Sequence, residues 1–385
     1  MKVLLVTTES NWWGIARLPE HLKDEGFNID ALCPAGALLT KTKFVDQAYT
    51  FQSPLSPFLL FYLINAFNKS DADIIIPGDD YAAICLQNFV SANSFMSRLI
   101  SQKLHNVLVK STGDKKWFSA INNKKILQQY AQQLNIRTPS NSAVTNLAKA
   151  LEKATEISYP VVLKLDQGFG GQEVRICQND SDVEKCFDNL DQERKISKVK
   201  KIKEIIKEFL LVKYLHEDAG ISIQKYIKGK PAYFTFFSRK GFFSGGVTAV
   251  AIKTYPGEIG PSSVVGIIKN EEVEKTAKQI VELTGHTGFG GLDFIIDEND
   301  HAYLLEFNPR VTALSYFVKE LGVNLSEALK HHINDEAYQT HTVLPVKHEL
   351  IALYPKEIQR DPHSKYLDEA FHDVPLNDPG LLVHI

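Results

Sequence analysis

The chain has 385 residues, a 44% hydrophobic share and a formal net charge of −3. That length suits about two to three domains, and no basic excess argues for nucleic acid. No apolar run approaches the roughly 20 residues of a membrane span, and Cys33, Cys85, Cys177 and Cys186 show neither CxxC spacing nor a histidine pattern, so reduced thiols in a cytoplasmic protein are expected.

"VLLVTT" near the N-terminus predicts a buried strand, and its opening, "MKVLLVTTES", turns polar too soon for a signal peptide. "GIARLPEHLKDEG" predicts a helix, "NIDALCP" a second strand, and "FLLFYLINAF" at 58–67 a buried helix. "DIIIP", the turn "GDD" and "YAAICLQNFV" continue the alternation. Strand and helix in alternation imply a parallel sheet with helices on its faces. No GxGxxG is present, so a dinucleotide site is not supported. The pattern breaks at "STGDKK", Ser111 to Lys116, which places a boundary near residue 113.

"NNKKILQQYAQQLNIRTPSN" predicts a helix, then a short strand and a proline. "YPVVLKL" predicts a strand, "DQGFGGQE" a glycine-rich loop, "VRIC" a strand and "SDVEKCFDNL" a helix. Lys195 to Phe209 is the one basic run, and its apolar residues recur at helical spacing, as in a solvated amphipathic helix. "GISIQKYIKG", "PAYFTFFS" and "GFFSGGVTAVAIK" predict strands, and "NEEVEKTAKQIVELTG" a helix. The region from 114 to 339 is therefore α+β, and 340–385 is a polar, proline-rich tail expected to pack on the core.

"GGLDFIIDENDHAYLLEFNPR", Gly290 to Arg310, carries the most chemistry. Two apolar strands flank a polar turn, the signal of a hairpin. A turn centred on Asn299 and Asp300 sets Asp297 opposite Ala302, Ile295 opposite Leu304 and Asp293 opposite Glu306. Opposed residues share a face with Cβ atoms about 4.5–5.5 Å apart. Asn308 and Arg310 continue that face. Two opposed carboxylates repel unless a cation lies between them, and oxygen ligands suit a hard divalent ion such as Mg²⁺. An exposed hairpin with solvated acids is the alternative.

Other segments fit an anionic ligand. Lys164 ends a strand that runs into "QGFGG"; glycine lets backbone N–H groups approach a polyphosphate, and lysine adds a point charge. Lys124 and Lys125 open a helix upstream. "IQKYIKG" can present backbone groups to a base edge.

The order of these parts resembles the ATP-grasp superfamily, over about residues 115–335 and extending into the first domain, where "SNWWGIARLPEHLKDEG" looks like the first loop and helix of the domain that precedes it in such enzymes. The resemblance implies a Rossmann-like N-terminal domain over 1–113 and a two-lobed α+β ATP-grasp domain over 114–339, with its hinge near 224–229. It implies ATP with Mg²⁺ or Mn²⁺. Lys124, with Lys125 as the alternative, and Lys164 would contact phosphates beneath a loop holding Gly170 and Gly171. Gln224, Lys225 and Ile227 would meet adenine. Asp293, Glu306 and Asn308 would hold metal, and Arg310 would face a reacting acyl phosphate. Gln224 stands where Glu is common. Lys230, Pro231 and Ala232 follow the hinge glycine where many members carry an acid, so no ribose ligand is assigned.

The activity so implied joins a substrate carboxylate, activated as an acyl phosphate, to an amine, releasing ADP and phosphate. A carboxylase, another acyl-phosphate ligase, or a nucleotide-binding regulatory protein are the alternatives. Both substrates are expected to be small molecules, possible amino acids among them. Lys253, beside "YPGEIGPSS", is expected to bind a substrate carboxylate, with a solvated surface lysine as the alternative. Trp12 and Trp13 lie at the carboxyl edge where open α/β sheets bind ligands, and either wall a pocket or pack between domains. Asp79 and Asp80 lie at a similar edge, and helix capping accounts for one of them.

Overall fold

In "VLLV" every residue is apolar, so a strand made from it must be covered on both faces, as in parallel sheets. The computed structural model describes residues 1–52, 56–91, 99–165, 174–208, 220–257, 260–339 and 348–382. Its first sheet holds β1 (Lys2–Val6), β2 (Asn28–Pro34), β3 (Gln47–Phe51) and β4 (Ile74–Pro77), all parallel, in the order β3-β2-β1-β4. Val3 and Leu5 pack against Ile15, Leu18 and Leu22 of α1 (Trp13–Asp24). Leu4 and Val6 pack on the other face, against α2 (Ser56–Ser70), α3 (Asp80–Val90) and α4 (Gln102–Thr112). The strand order reverses at β1 and β4, and open α/β sheets bind ligands in the crevice outside the carboxyl ends of strands at such a point.

Several expectations change here. The helix at 58–67 is buried on one side only: Leu59, Leu60 and Leu63 face the sheet, whereas Phe58 and Phe61 are 52% and 56% exposed. β3 and α4 had no clear apolar period and were not anticipated. The break expected from Ser111 begins inside the last turn of α4, which Gly113 caps. Among the described residues no helix is long and apolar enough to cross a membrane.

Beyond α5 (Phe118–Asn122) and α6 (Lys124–Gln133), a four-stranded sheet forms from β5 (Asn141–Val144), β6 (Val161–Leu165), β7 (Val174–Cys177) and β8 (Ile221–Lys225), in the order β5-β8-β6-β7. The short strand β5 follows Pro139 instead of preceding it. Val161, Leu163, Ile221 and Ile223 turn to α7 (Leu147–Ile157) and α8 (Asp180–Glu208). Alternation then puts Val162, Lys164, Ser222 and Gln224 on the face away from those helices. Residues 195–208 are helical, as the basic run predicted.

The largest sheet has seven strands. It is built from β9 (Gly229–Arg239), β10 (Phe242–Thr254), β11 (Ser262–Ile268), β12 (Gly288–Asp297), β13 (Ala302–Asn308), β14 (Leu350–Ala352) and β15 (Phe371–His372), in the order β13-β12-β9-β10-β11-β14-β15. β11 was not anticipated, since "GPSS" leads into it; its "SSVVGII" is buried almost throughout. One face carries Phe234, Phe236, Leu292, Phe294, Leu304 and Phe307, covered by α6 and α9 (Glu271–Thr284). On the other face Phe237, Val247, Ala249 and Phe289 pack into the same core as β1 and α1. β1 and α1 thus cover one end of that face. The row Tyr233, Asp293, Glu306 crosses its other end.

The C-terminal segment does more than cover the surface. It supplies β14 and β15, and buried Asp373 receives Arg17 through paired bonds, Nη2 to Oδ1 at 2.8 Å and Nη1 to Oδ2 at 3.3 Å, and also the Tyr316 hydroxyl. Asp378 accepts the Thr42 hydroxyl and the Lys43 N–H.

Candidate active site

The hairpin that frames the site differs from its expected register in one respect. Asp293 does oppose Glu306, but Phe294 then opposes Leu304, Ile295 opposes Tyr303 and Ile296 opposes Ala302. Leu305 is therefore an extra residue, a bulge. Its effect is specific. In a regular strand Leu304 and Glu306 share a face. The bulge sends Leu304 into the core with Phe294 while Glu306 stays beside Asp293 on the open face. Gly291, opposite Asn308, completes the frame, because a Cβ there would lie 2.5 Å from the Thr312 methyl. Thr312 cannot retreat easily, since its hydroxyl meets Thr235 at 2.7 Å and Ser315 at 3.1 Å. Gly291→Ala is expected to cost about 1–3 kcal/mol by overpacking, measured as a shift in the urea midpoint; an unshifted midpoint would mean that Thr312 moves freely.

Charge on this face is uneven. Burial, then the neighbouring charge of Glu306, push the Asp293 carboxyl well above its usual range. Burial also pushes Glu306 up, but Lys124 outweighs it, and Glu306 falls below its usual range. The Lys124 ammonium lies 2.5 Å from Glu306 Oε2. Burial disfavours that ammonium, yet Glu306 and Asp293 hold its pKa above the usual value. Of the two acids Asp293 is therefore the harder to ionise and Glu306, beside the lysine, the easier. The Tyr233 phenol, raised by burial and by Asp293, closes the row and accepts from the Ser262 hydroxyl at 3.1 Å. Two carboxylates and the Asn308 amide make an all-oxygen donor set that fits a hard divalent ion. Among the described residues no group of three His, Cys, Asp or Glu does so.

Asn123 caps α6, accepting from the N–H groups of Lys125 and Ile126, and this turns the first helical lysine toward β13. Of the two lysines considered, Lys124 is thus the one at the acidic pair.

Arg310 sits next to that pair. Its Nε donates to Asp80 Oδ1 at 2.7 Å and its Nη2 to Asp80 Oδ2 at 2.9 Å. Nη2 also reaches Asn308 Oδ1 at 3.3 Å, and Nη1 reaches the Val311 carbonyl at 3.1 Å. The guanidinium carbon lies 5.6 Å from the Trp12 ring centre. Asp79, the other acid of the pair, is the helix cap: it accepts from Ala82 N–H, from the Thr7 hydroxyl at 2.7 Å and from the N–H and hydroxyl of Thr8. Glu9 follows on the same loop, its carboxyl raised by burial and then by Asp79 and Asp80, against the opposing pull of Arg310. Trp13 meets Tyr354 edge to face, ring centres 5.4 Å apart, so it packs against the C-terminal segment.

The remaining predicted residues are spread more widely. Lys164 and Gln224 share the helix-free face of the four-stranded sheet. Gln224 is buried, and Lys225 is exposed with its N–H already donated to the Ser140 carbonyl. Of the backbone groups expected at the hinge, the Lys225 N–H is thus engaged, and Ile227 is half-buried. Gly170 and Gly171 lie outside the described residues. Lys253 is exposed on β10 opposite Val264, beside a bulge, and among the described residues no hydrogen bond or ion pair ties it to Arg310 or the acidic pair. The roles of Asp80, Glu9 and Tyr233 were not read from sequence. Tyr233 was within reach, since alternation along β9 places it with Asp293 once the two strands are paired.

A family described as "ATP-grasp domain" matches residues 121–314, half of the chain. The carbamoyl phosphate synthase large chain of Vibrio cholerae is 25% identical over 205 residues, 52% of this chain but 17% of that protein. The chain thus spans a small part of the curated relatives it matches. Biotin carboxylase of Campylobacter jejuni, solved with β-γ-ATP, superposes with a TM-score of 0.64 at 20% identity, covering 87% of this chain and 71% of that one. An L-amino acid ligase of Bacillus licheniformis gives 0.55 at 14% identity, over 86% of this chain and 74% of that one. At such identities the likeness is one of fold. With the family match across the hairpin and the lysine helix, the chain belongs to the ATP-grasp family.

Proposed function

We infer that the chain is a ligase that uses Mg-ATP to activate a substrate carboxylate and joins it to an amine, releasing ADP and phosphate. A carboxylate oxygen attacks the γ-phosphorus while the bond to the β,γ-bridging oxygen breaks, and ADP departs. The amine nitrogen then attacks the acyl carbon, phosphate leaves, and the nitrogen loses a proton. The observation that carries this reading is the Asp293–Glu306 pair, opposed across two strands with Lys124 on one acid and Arg310 beside it.

The difficulty in the first step is that an anion approaches an anion. Lys124 and Arg310 reduce that repulsion, and both remain charged at neutral pH because acids surround them. A magnesium ion held by Asp293, Glu306 and Asn308 would neutralise phosphate charge as it moves. Lys164, with Gly170 and Gly171, is assigned to the phosphates, and Gln224, Lys225 and Ile227 to the adenine edge. Lys225 contributes its carbonyl and Ile227 its N–H. Lys253 is assigned to the substrate carboxylate.

Bicarbonate is the second reading for that carboxylate, favoured by the likeness to biotin carboxylase. One assay separates the readings: phosphate release with Mg-ATP and pools of amino acids, other carboxylates, amines and bicarbonate. Release that needs both a carboxylate and an amine supports ligation, and release that follows bicarbonate supports carboxylation. Tight ATP binding without release from any pool would overturn both and leave a regulatory nucleotide binder.

A further inference from the structure

An arginine facing a reaction is usually pictured as an open fork that grips an oxyanion from both sides. Arg310 has no open fork. A guanidinium carries five N–H donors. Four are given to protein acceptors: Nε and one Nη2 hydrogen to Asp80, the second Nη2 hydrogen to Asn308, and one Nη1 hydrogen to the Val311 carbonyl. Among the described residues one Nη1 hydrogen has no protein acceptor, and the guanidinium carbon lies over the Trp12 ring, 5.6 Å from its centre. The side chain is 17% exposed, so it is neither sealed in nor free to turn.

The group that fills the fork comes from the other end of the chain. Asp80 is the first residue of α3, and its direction is set by Asp79, whose four accepted bonds tie the β4–α3 turn to the end of β1. A backbone bond from Val311 N–H to the Pro77 carbonyl, 3.2 Å long, joins the same turn to the segment after β13. Gly14 makes this approach possible, since a Cβ there would lie 2.9 Å from the Thr312 carbonyl and 3.0 Å from the Trp12 ring. The ion pair is thus one of several bonds fixing two loops that are 230 residues apart.

We propose that Asp80 is a positioning residue of this active site: it holds Arg310 so that the arginine meets the reacting group through one fixed Nη1–H, and the N-terminal domain thereby shares in the chemistry. The proposal rests on the ligase reading of the site. A bidentate carboxylate removes the rotation that a long side chain keeps in water, and a donor fixed in advance does not have to reorganise when charge develops on the transferred group. Asn308 shares in the arrangement, because it accepts from Arg310 while lying next to the acidic pair. Metal ligand and arginine are therefore held in one frame.

Two measurements test this, one of which needs no turnover. The first is the rate at which phenylglyoxal labels Arg310, followed by peptide mass spectrometry in the wild type, Asp80→Ala and Asp80→Glu, with melting curves to show that each is folded. Labelling is expected to be several-fold faster in Asp80→Ala and to return toward wild type in Asp80→Glu. The second is phosphate release with Mg-ATP and the acceptor pools. Misplacing the arginine in Asp80→Ala should lower kcat by about a hundredfold and leave KM for Mg-ATP unchanged, with partial recovery in Asp80→Glu. Lys319→Ala, which breaks an ion pair to Asp24 far from these residues, controls for a merely structural effect and should leave kcat unchanged. Unchanged labelling in folded Asp80→Ala overturns the proposal, as does faster labelling with undiminished kcat, or an equal loss in Lys319→Ala. If the wild type is inert with every pool, the ligase reading fails, and the labelling rates alone decide whether Asp80 fixes Arg310.

Discussion

Glu306→Gln is expected to lower Mg-ATP-dependent phosphate release by about a hundredfold or more, the usual loss when one preorganised contact to a developing charge is removed. The substitution keeps the size of the side chain and the bulged register at Leu305. It removes the carboxylate of the pair that ionises more readily, since Lys124 draws Glu306 below its usual range while burial and Glu306 push Asp293 well above its own. The amide would also present an N–H₂ donor toward Asp293 or the metal, where only an acceptor is useful. Stability should change little. Lys124 loses its partner but is partly exposed and can be hydrated. The check is a rate measurement beside a melting curve, together with a magnesium titration of the ATP-bound protein. Near-wild-type rates that still depend on magnesium would take Glu306 out of the metal site.

The second large effect concerns pH. His286 and His332 are buried, and burial lowers their pKa to about 3 and about 4 respectively. In the unfolded chain a histidine titrates near 6.5. Between these values the unfolded state binds a proton that the folded state refuses, so stability falls as pH falls. Each ring should contribute a loss of roughly 2 kcal/mol between neutral pH and pH 5. Asp293 and Asp373 act in the opposite sense, since their raised pKa values let the folded state take protons first. The clean measurement is therefore a difference between variants. His286 lies among Phe236 and Phe307, ring centres 5.7 and 4.9 Å away. In His286→Phe the Ser238 hydroxyl, now 2.7 Å from Nδ1, can still donate to the backbone carbonyl of position 286, 3.1 Å away. Urea midpoints taken between pH 7.5 and pH 5 should fall less steeply in this variant, by about 2 kcal/mol over the range. Parallel curves would mean that His286 is not held neutral.

Both effects depend on residues whose environment the fold creates, and they differ in how far the sequence announces them. Asp293 and Glu306 could be paired from the chain alone, because a hairpin brings together residues that are close in sequence and the turn limits the registers available. The bulge is not legible there. Ladder alternation predicts Leu304 and Glu306 on one face, and only the packing of Leu304 and Phe307 against α6 and α9 shows that a residue is skipped. His286 carried no signal at all. Its neutrality follows from complete burial among aromatic rings, a property of the assembled sheet.

The strands and helices with strong apolar periods were legible, as was the succession of lysine helix, lysine strand, hinge strand and acidic hairpin that resembles the family. β3, α4 and β11 were not, since edge position, a mixed composition and "GPSS" hid their periods. What the sequence by itself determined is local: which segments are strands or helices, which acids face each other across a short turn, and the kinds of charge available. What only the tertiary structure decided is which distant charges meet. Lys124 falls on Glu306, and Asp80 fills the fork of Arg310, because α6 packs across β13 and the β4–α3 turn meets the segment after β13. Those pairings come from the docking of whole elements through their apolar faces, and nothing in the spacing of the charged residues themselves encodes it.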